Sequence, residues 1–382
     1  MKGKFYTLMI LSFAAIAMVS CKSASKLYKQ GNYDEAVEVA VKKLQKKPND
    51  AELRSIIQSA YEYAVNDHES RIRNYSESNN DLKWEWIYNE YQDLQNLYNA
   101  IYSAPSVFEL VQPVNYSSYI TTYREKAGDA RITRGMNWMD RGDKESFKKA
   151  FYEFQAALSF KPSDIKTQDM MDDAYDAAVT RVVIAQVDNY GFQFSSYNNS
   201  FQSSSDGIIR NLQNNSGNFF VHFYSVMDAK SKAIIPDEVI ELRLNHMDIG
   251  GLQESRDTRE VSKEVVVKET VYKPDSVIKQ YAKVKARITT TRKTIYSTGD
   301  LTVTVRDKNG NYLWNDLVTA DNSWSTSYAS YTGDERALSE EDKRFLNSRA
   351  DNIPHESYII DCIRQELYNN TLYRIKNYYS RY

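Results

Sequence analysis

The residues best suited to metal or acid–base chemistry are scattered along this sequence. The four histidines are His68, His222, His246 and His355, and no two of them have the spacing that places two imidazoles on one helix face. Cys362 has no neighbouring cysteine or histidine. Because a metal site needs several ligands around one ion, the sequence predicts no metal site and no cofactor. Ligands assembled from distant residues are the alternative.

One histidine has acidic neighbours. Asp67 and Glu69 flank His68, and carboxylates beside an imidazole suit general acid–base catalysis. A solvated helix end explains the same three residues without any chemistry, and we favour that interpretation. The sequence contains no nucleophile elbow, phosphate-binding loop or dinucleotide fingerprint. It therefore predicts a protein that is not an enzyme.

The amino terminus has the pattern of an export signal. Lys2 and Lys4 precede an apolar stretch over residues 5–19, and Cys21 follows. The stretch is shorter than the roughly 20 residues that span a bilayer, and it suits the hydrophobic segment of a signal peptide. An ordinary cleavage site at residues 15–17 is the alternative, and it would leave Cys21 as a free thiol.

Met18-Val19-Ser20-Cys21 resembles the bacterial lipobox, in which small or aliphatic residues precede an obligatory cysteine. The resemblance implies that residues 1–20 are a cleaved signal peptide and that the sulfur of Cys21 is diacylated. No acidic run follows Cys21, although the export tags of surface lipoproteins of Bacteroidota are short Asp/Glu runs at that place. The chain is thus similar to an outer-membrane lipoprotein of Bacteroidota that faces the periplasm.

Charge, cysteine count and length limit the kinds of partner and the number of domains. Removal of residues 1–20 leaves 47 of the 49 basic side chains against 51 acidic ones. This balance argues against a nucleic-acid partner, which requires a basic excess. Cys21 and Cys362 are the only cysteines, so a lipidated Cys21 leaves no intramolecular disulfide. The length suggests two or three domains, and we place a helical domain at 21–179 and a strand-rich domain at 180–382.

The helical domain begins with a repeat pattern. The pattern combines a turn glycine, an aromatic residue, apolar residues every four positions and a closing proline: Gly31, Tyr33, Ala36, Ala40, Leu44 and Pro48. Ala36 and Ala40 share a helix face and let a partner helix approach, while Pro48 ends the helix. This spacing resembles the tetratricopeptide repeat, which implies stacked helix pairs that bind proteins.

A second copy of the pattern lies near residues 127–162. Its second helix carries the matching small, aromatic and proline positions: Ala150, Phe154, Ala157, Leu158 and Pro162. A partial third unit follows at residues 170–178. Between the copies, apolar residues over 84–101 predict a long helix, either in a packed hairpin or in a degenerate repeat within 51–125. Pro105 should end that helix, and residues 107–113 should form an apolar loop.

The second domain changes to an alternating pattern. Residues 181–187 and 219–224 predict strands, and a short helix is predicted near 207–212. Longer alternating runs at 282–288 and 301–305 lead to the turn pair Asn309-Gly310, which favours a hairpin. An amphipathic helix closes the chain with Ile359, Ile363, Leu367, Leu372 and Ile375. The fold class is therefore α followed by α+β, with a mostly antiparallel sheet and helices on one face.

The predicted hairpin over residues 301–314 resembles that of periplasmic lipoprotein domains, such as those of the curli secretion pore and of the penicillin-binding-protein activators. The resemblance implies a domain that binds partners and does not catalyse. Upstream of it, residues 256–293 contain eleven basic and five acidic side chains. A ledge that meets anionic lipid is one interpretation. The solvated face of a two-stranded ribbon, with lysines protecting the edges, is the one that we favour.

These patterns predict a membrane-anchored, non-enzymatic adaptor that binds other envelope proteins. Stacked helix pairs provide a concave surface for a peptide or a helix. Glycan capture is the alternative, because the sequence has thirty tyrosines and some glycan-binding lipoproteins of Bacteroidota also contain helix pairs of this type.

Labelled palmitate should be incorporated into the chain, because the lipobox resemblance implies acylation of Cys21. We expect Cys21→Ala to abolish the labelling. Unchanged labelling in that variant would contradict the lipid anchor.

Overall fold

The computed structural model describes residues 23–185, 198–271 and 277–382. Cys21 and the predicted signal peptide lie outside these residues. The chain divides into two compact units between Ala178 and Val179, next to the domain boundary placed after residue 179. The first unit is helical, and the second is a mixed sheet with helices. The predicted fold class, α followed by α+β, is confirmed.

Helices make up the described part of the first unit. Their bounds are α1 Ala24–Lys29, α2 Tyr33–Leu44, α3 Ala51–Ser76, α4 Lys83–Tyr102, α5 Pro105–Val111, α6 Ser117–Met139, α7 Lys144–Phe160 and α8 Ile165–Ala178.

Helices α1 and α2 form a short pair around the glycine turn. Gly31 has φ +79°, a left-handed conformation that glycine adopts without strain. Ala36, Ala40 and Leu44 are buried along one face of α2, since residues four positions apart stack on the same side of a helix. The helix ends at Leu44, so Pro48 lies beyond its end in the turn that leads to α3.

Helix α3 was not predicted, although it has 26 residues. Its buried face consists of small residues and one histidine after Ile57, namely Ala60, Ala64 and His68. This face gives a weak hydrophobic pattern. Tyr75 of α3 contacts Trp86 of α4, and His68 contacts Glu90, so the two helices run antiparallel.

The predicted apolar loop over residues 107–113 is wrong. Residues 105–111 form helix α5, with Pro105 at its first position. Proline suits that position because its fixed φ is helical and the first N–H of a helix needs no partner within the helix. Pro105 therefore follows the end of α4 at Tyr102 and begins a new helix. Gln112, with φ 49°, ends α5.

The second predicted helix pair is α6 and α7. Gly142 has φ +75° in the turn, and Asp143 caps α7 by accepting a hydrogen bond of 2.9 Å from the N–H of Ser146. On α7, Ala150, Phe154 and Ala157 are buried. A Cβ atom added to Gly135 of α6 would lie 2.5 Å from the ring of Phe154. The two helices can pack this closely because position 135 has no side chain.

The second unit contains six strands among its described residues. The bounds of its elements are β1 Thr180–Ile184, α9 Asn198–Asn214, β2 Val221–Ser225, α10 Val226–Ser231, β3 Glu238–Ile249, β4 Gln253–Val271, β5 Val277–Asp307, β6 Tyr312–Gly333, a 3₁₀ turn Glu335–Ala337, α11 Glu340–Leu346 and α12 Glu356–Tyr379.

Strand β5 organises the sheet. It pairs antiparallel with β3 and β4 along one edge and with β6 along the other. Strands β3 and β4 follow one another along that edge, and between them Gly250 donates a backbone hydrogen bond of 2.9 Å to the carbonyl of Tyr296. Strand β1 pairs in parallel with β2 and β3. The sheet is therefore mixed, with its longest pairings antiparallel.

Helices α9 and α12 cover one face of the sheet. The core between them contains Ile208, Leu212, Val303, Ile363 and Leu367. The closing helix was predicted with its buried residues, and Leu372 is partly buried against the same core. A smaller cluster joins Ile288 and Leu338. Because Ile288 and Val303 are an odd number of residues apart in β5, this cluster lies on the opposite face, and the helices are not confined to one side.

Beyond Gly333 the sheet becomes a two-stranded ribbon. Gly333 pairs with Ala286, and β4 and β5 continue together without β6. Gly333 has φ +113°, and a Cβ atom there would lie 2.6 Å from the carbonyl oxygen of Lys285. The described part of this ribbon consists of residues 262–271 and 277–285. It falls within the basic stretch that we interpreted as a solvated ribbon.

The contact between Gly135 and Phe154 gives a stability prediction. Gly135→Ala should lower the free energy of unfolding by about 1–3 kcal/mol, because the added methyl group overpacks the contact between α6 and α7. Gly128→Ala on the same helix is the matched control, since its Cβ atom would meet the unbranched side chain of Lys161 and not a buried ring. Denaturant titration of both variants checks this. Equal effects at both positions would contradict it.

Candidate functional site

A row of aromatic side chains crosses helices α4 and α6 of the helical unit. Tyr91 stacks on Tyr119 with a centroid distance of 4.9 Å and on Tyr123 with a distance of 5.1 Å. Trp84 lies 6.0 Å from Tyr123. Tyr119 is exposed, and the other three rings are half-buried. We call Trp84, Tyr91, Tyr119 and Tyr123 the aromatic row. It offers ring surface to a partner.

Two lysines lie at one end of the aromatic row. The Nζ atom of Lys126 lies 4.7 Å from the ring centre of Trp84 and 4.9 Å from that of Tyr123. The Nζ atom of Lys83 lies 4.9 Å from the ring of Trp84. Cation–π attraction holds these ammonium groups against the rings. The surface thus combines apolar rings with positive charge.

The phenol of Tyr91 in the aromatic row is a hydrogen-bonding group and not a charged one. Burial, together with the neighbouring phenols of Tyr123 and Tyr119, raises the pKa of Tyr91 to about 12. Tyr116 lies next to the row at 5.9 Å from Tyr91, and burial raises its pKa as well. A neutral hydroxyl both donates and accepts hydrogen bonds, so the row suits polar as well as apolar partner groups.

The predicted repeat positions lie in the helix contacts and not in the aromatic row. Ala36, Ala40, Leu44, Ala150, Phe154 and Ala157 are buried. Pro48 and Pro162 lie in turns. Tyr33 belongs to a separate ring cluster, in which it stacks on Tyr63 at 5.1 Å and contacts Tyr28 at 5.7 Å. The buried repeat positions therefore lie in contacts between helices, and none of them belongs to the aromatic row.

The spacing of aromatic residues in the sequence is a signal for the aromatic row. Trp84 and Tyr91 lie within the apolar stretch 84–101 that predicts a long helix, and in α4 the buried positions are Ile87, Leu94, Leu97 and Ile101. On α6, Tyr116, Tyr119 and Tyr123 recur at spacings of three and four, which places them on one helix side. This stripe of tyrosines on α6 was missing from the predicted binding residues.

The interpretation of His68 as part of a solvated helix end is wrong. His68 is buried in the middle of α3. Its Nε2 atom lies 3.1 Å from a carboxylate oxygen of Asp34, and its Nδ1 atom lies 2.5 Å from one of Glu90. Arg71 donates a hydrogen bond of 2.9 Å from Nε to the same oxygen of Glu90. The imidazole therefore joins α2, α3 and α4.

The carboxylates determine the protonation of His68. Burial lowers the pKa of the imidazole, but the hydrogen bonds to Asp34 and Glu90 raise it by more, and the net shift is upward in spite of the opposing charge of Arg71. Burial raises the pKa of the nearby Asp93, although the positive charges of His68 and Arg71 oppose that shift. Charge compensation thus stabilises this network.

The same network has the ligand types of a metal site. Ligand atoms of His68, Glu90 and Asp93 lie within 4.8 Å of one another. Three such groups are enough to bind a divalent ion. Arg71, however, already forms an ion pair of 2.9 Å with Glu90, and its positive charge opposes a cation at this place. The arrangement fits an ion network between helices better than a metal centre.

No protein-family model matches this chain, and no curated protein matches its sequence. Within residues 23–185, 198–271 and 277–382, no helix combines the length and the apolar character that crossing a membrane requires.

The His68 network gives a prediction about the pH dependence of stability. The pKa of the His68 imidazole in the folded state lies above its value of about 6.5 in the unfolded state. Protonated His68 therefore stabilises the fold fully below that pH, and the contribution is lost as the pH rises through the folded pKa. His68→Gln should consequently destabilise the protein more at about pH 5.5 than at about pH 8.5.

Denaturant titration at both pH values checks this expectation. His246→Gln is the matched control, because His246 is exposed on β3. The prediction fails if His68→Gln costs the same free energy of unfolding at both pH values.

Proposed function

We propose that this chain is a membrane-anchored, non-enzymatic adaptor of the bacterial envelope that binds protein partners through its helical unit. The aromatic row is the observation that supports this proposal. Tyrosine and tryptophan are enriched among the residues that dominate protein interfaces. Two lysines against the rings add positive charge, so the row suits a partner segment with apolar and acidic side chains.

The strand-rich unit is the second binding element of the proposal, and a diacylated Cys21 is its membrane anchor. A lipid anchor of several acyl chains keeps a protein at the membrane without a spanning helix. The proposed location is the outer membrane, on its periplasmic side. The partners would be envelope proteins, and nucleic acid is not among them.

Photo-crosslinking tests the adaptor proposal directly. A photoreactive residue at position 119 of the lipidated protein should capture one envelope protein in stoichiometric amount. Tyr119→Ala together with Tyr123→Ala should weaken recovery of that protein by at least about tenfold, because truncation of an interface hot-spot residue costs about 2 kcal/mol or more. Tyr152→Ala, which removes an exposed tyrosine of α7 outside the row, is the control. Loss of recovery in the control as well would contradict a role of the row.

Glycan capture is the second candidate function, and the stacked tyrosines favour it specifically. Flat, half-exposed rings with neutral hydroxyls provide both stacking surface and hydrogen bonds for a sugar. Affinity electrophoresis in polysaccharide gels distinguishes the two functions. Retardation that disappears in the variant with Tyr119→Ala and Tyr123→Ala would favour a glycan. Unretarded migration together with a protein crosslink would favour the adaptor.

A further inference from the structure

The two-stranded ribbon of β4 and β5 exposes apolar side chains where it extends beyond β6. Those of Val267, Val277, Ile278 and Tyr281 are 46%, 50%, 61% and 60% exposed. An isolated two-stranded hairpin is only marginally stable in water. The pairing register places Ile278 on one face of the ribbon and Val277 and Tyr281 on the other.

The two faces of the ribbon differ in charge. On one face, Lys279 forms an ion pair of 3.2 Å with Glu269, and Lys285 forms one of 2.7 Å with Glu260. The pairing register places Lys263 beside Val284 and Lys268 beside Gln280 on the other face. The bulge at Val267 adds one residue to β4, so that Val265 and Lys268 lie on the same face. Ala282 and Ile278 of β5 share that face with them.

We call this second face the lysine face. The register places eight residues on it: Lys263, Val265, Lys268, Thr270, Ile278, Gln280, Ala282 and Val284. The register places no acidic residue on it within the described part of the ribbon. Lys263 and Lys268 are exposed, and neither has an ion-pair partner among the described residues. The face thus combines two uncompensated positive charges with apolar groups between and beside them.

We propose that the lysine face docks on a bilayer surface that carries anionic headgroups. The charge complementarity is direct, because lysines with apolar stems lie along a membrane with their ammonium groups at the phosphates. Ile278, which is 61% exposed on the same face, would enter the boundary between headgroups and acyl chains. The described arm of β5, residues 277–285, spans about 30 Å, which is enough to contact many headgroups at once.

This proposal is independent of the lipid on Cys21 and of the aromatic row. It assigns the chain a second contact with a membrane, through protein side chains. The test therefore uses the chain from residue 21 with Cys21→Ser, in which no acyl chain contributes to binding.

Vesicle sedimentation measures the binding. The protein should bind vesicles of phosphatidylcholine mixed with phosphatidylglycerol and should not bind vesicles of phosphatidylcholine alone. Added salt should weaken the binding. Lys263→Gln together with Lys268→Gln should weaken it about 25-fold, since each lysine near an anionic surface contributes about fivefold. Lys46→Gln with Lys47→Gln in the helical unit removes the same charge and should leave the binding unchanged.

A site-specific probe places the contact on the ribbon. A polarity-sensitive fluorophore on Ile278→Cys, in a Cys362→Ser background, should shift to shorter wavelength when the mixed vesicles are added. Equal weakening in the two double-lysine variants would overturn the proposal, as would an unshifted fluorophore. A photo-crosslink from position 278 to an envelope protein, combined with no vesicle binding, would also overturn it and assign the lysine face to a protein contact.

Discussion

The pairing of β5 with three other strands is the constraint on which the strand-rich unit depends. This strand runs from Val277 to Asp307 and supplies the register for β3, β4 and β6. The parallel strands β1 and β2 attach to it only through β3. Helix α12 packs so closely over β5 that a Cβ atom at Gly299 would lie 2.7 Å from the side chain of Ile363. One end of β5 consequently lies in the core of the unit, and its other end forms one strand of the ribbon.

The helical unit has no single central element and is held by contacts between neighbouring helices. Small residues such as Ala36, Ala40 and Gly135 allow close packing. Buried charges connect helices that lie apart in sequence: Arg131 of α6 binds Glu85 of α4 and, at 2.8 Å, Glu153 of α7. Burial raises the pKa of Glu153, but Arg134 and Arg131 lower it by more, so its carboxylate stays charged. Such networks fix which helices are neighbours, while small residues fix how near they come.

Elements with a periodic apolar pattern could be predicted from the sequence, and elements held by other forces could not. The buried positions of α2, α7 and α12 follow from their spacing, and so does the turn at Gly310. Helix α3 was missed because its buried face is small and partly polar. The alternation of Ile240, Leu242 and Leu244 in β3 was present but was not recognised. The His68 network joins residues 34, 68 and 90, and no local pattern reports such distant contacts.

Strand β5 is paired on both sides at one end and on one side at the other. The protection of its amide hydrogens against exchange should therefore fall along the strand. Near Val303 the strand is paired on both sides and lies under α12, so its amides open only when the whole sheet does. From residue 285 back to 277 it has β4 alone. That arm can open and close while the main core stays intact, because its one contact with a buried cluster among the described residues is that of Val284 with the small cluster around Ile288. An element of this kind adjusts its local shape to a surface at low thermodynamic cost.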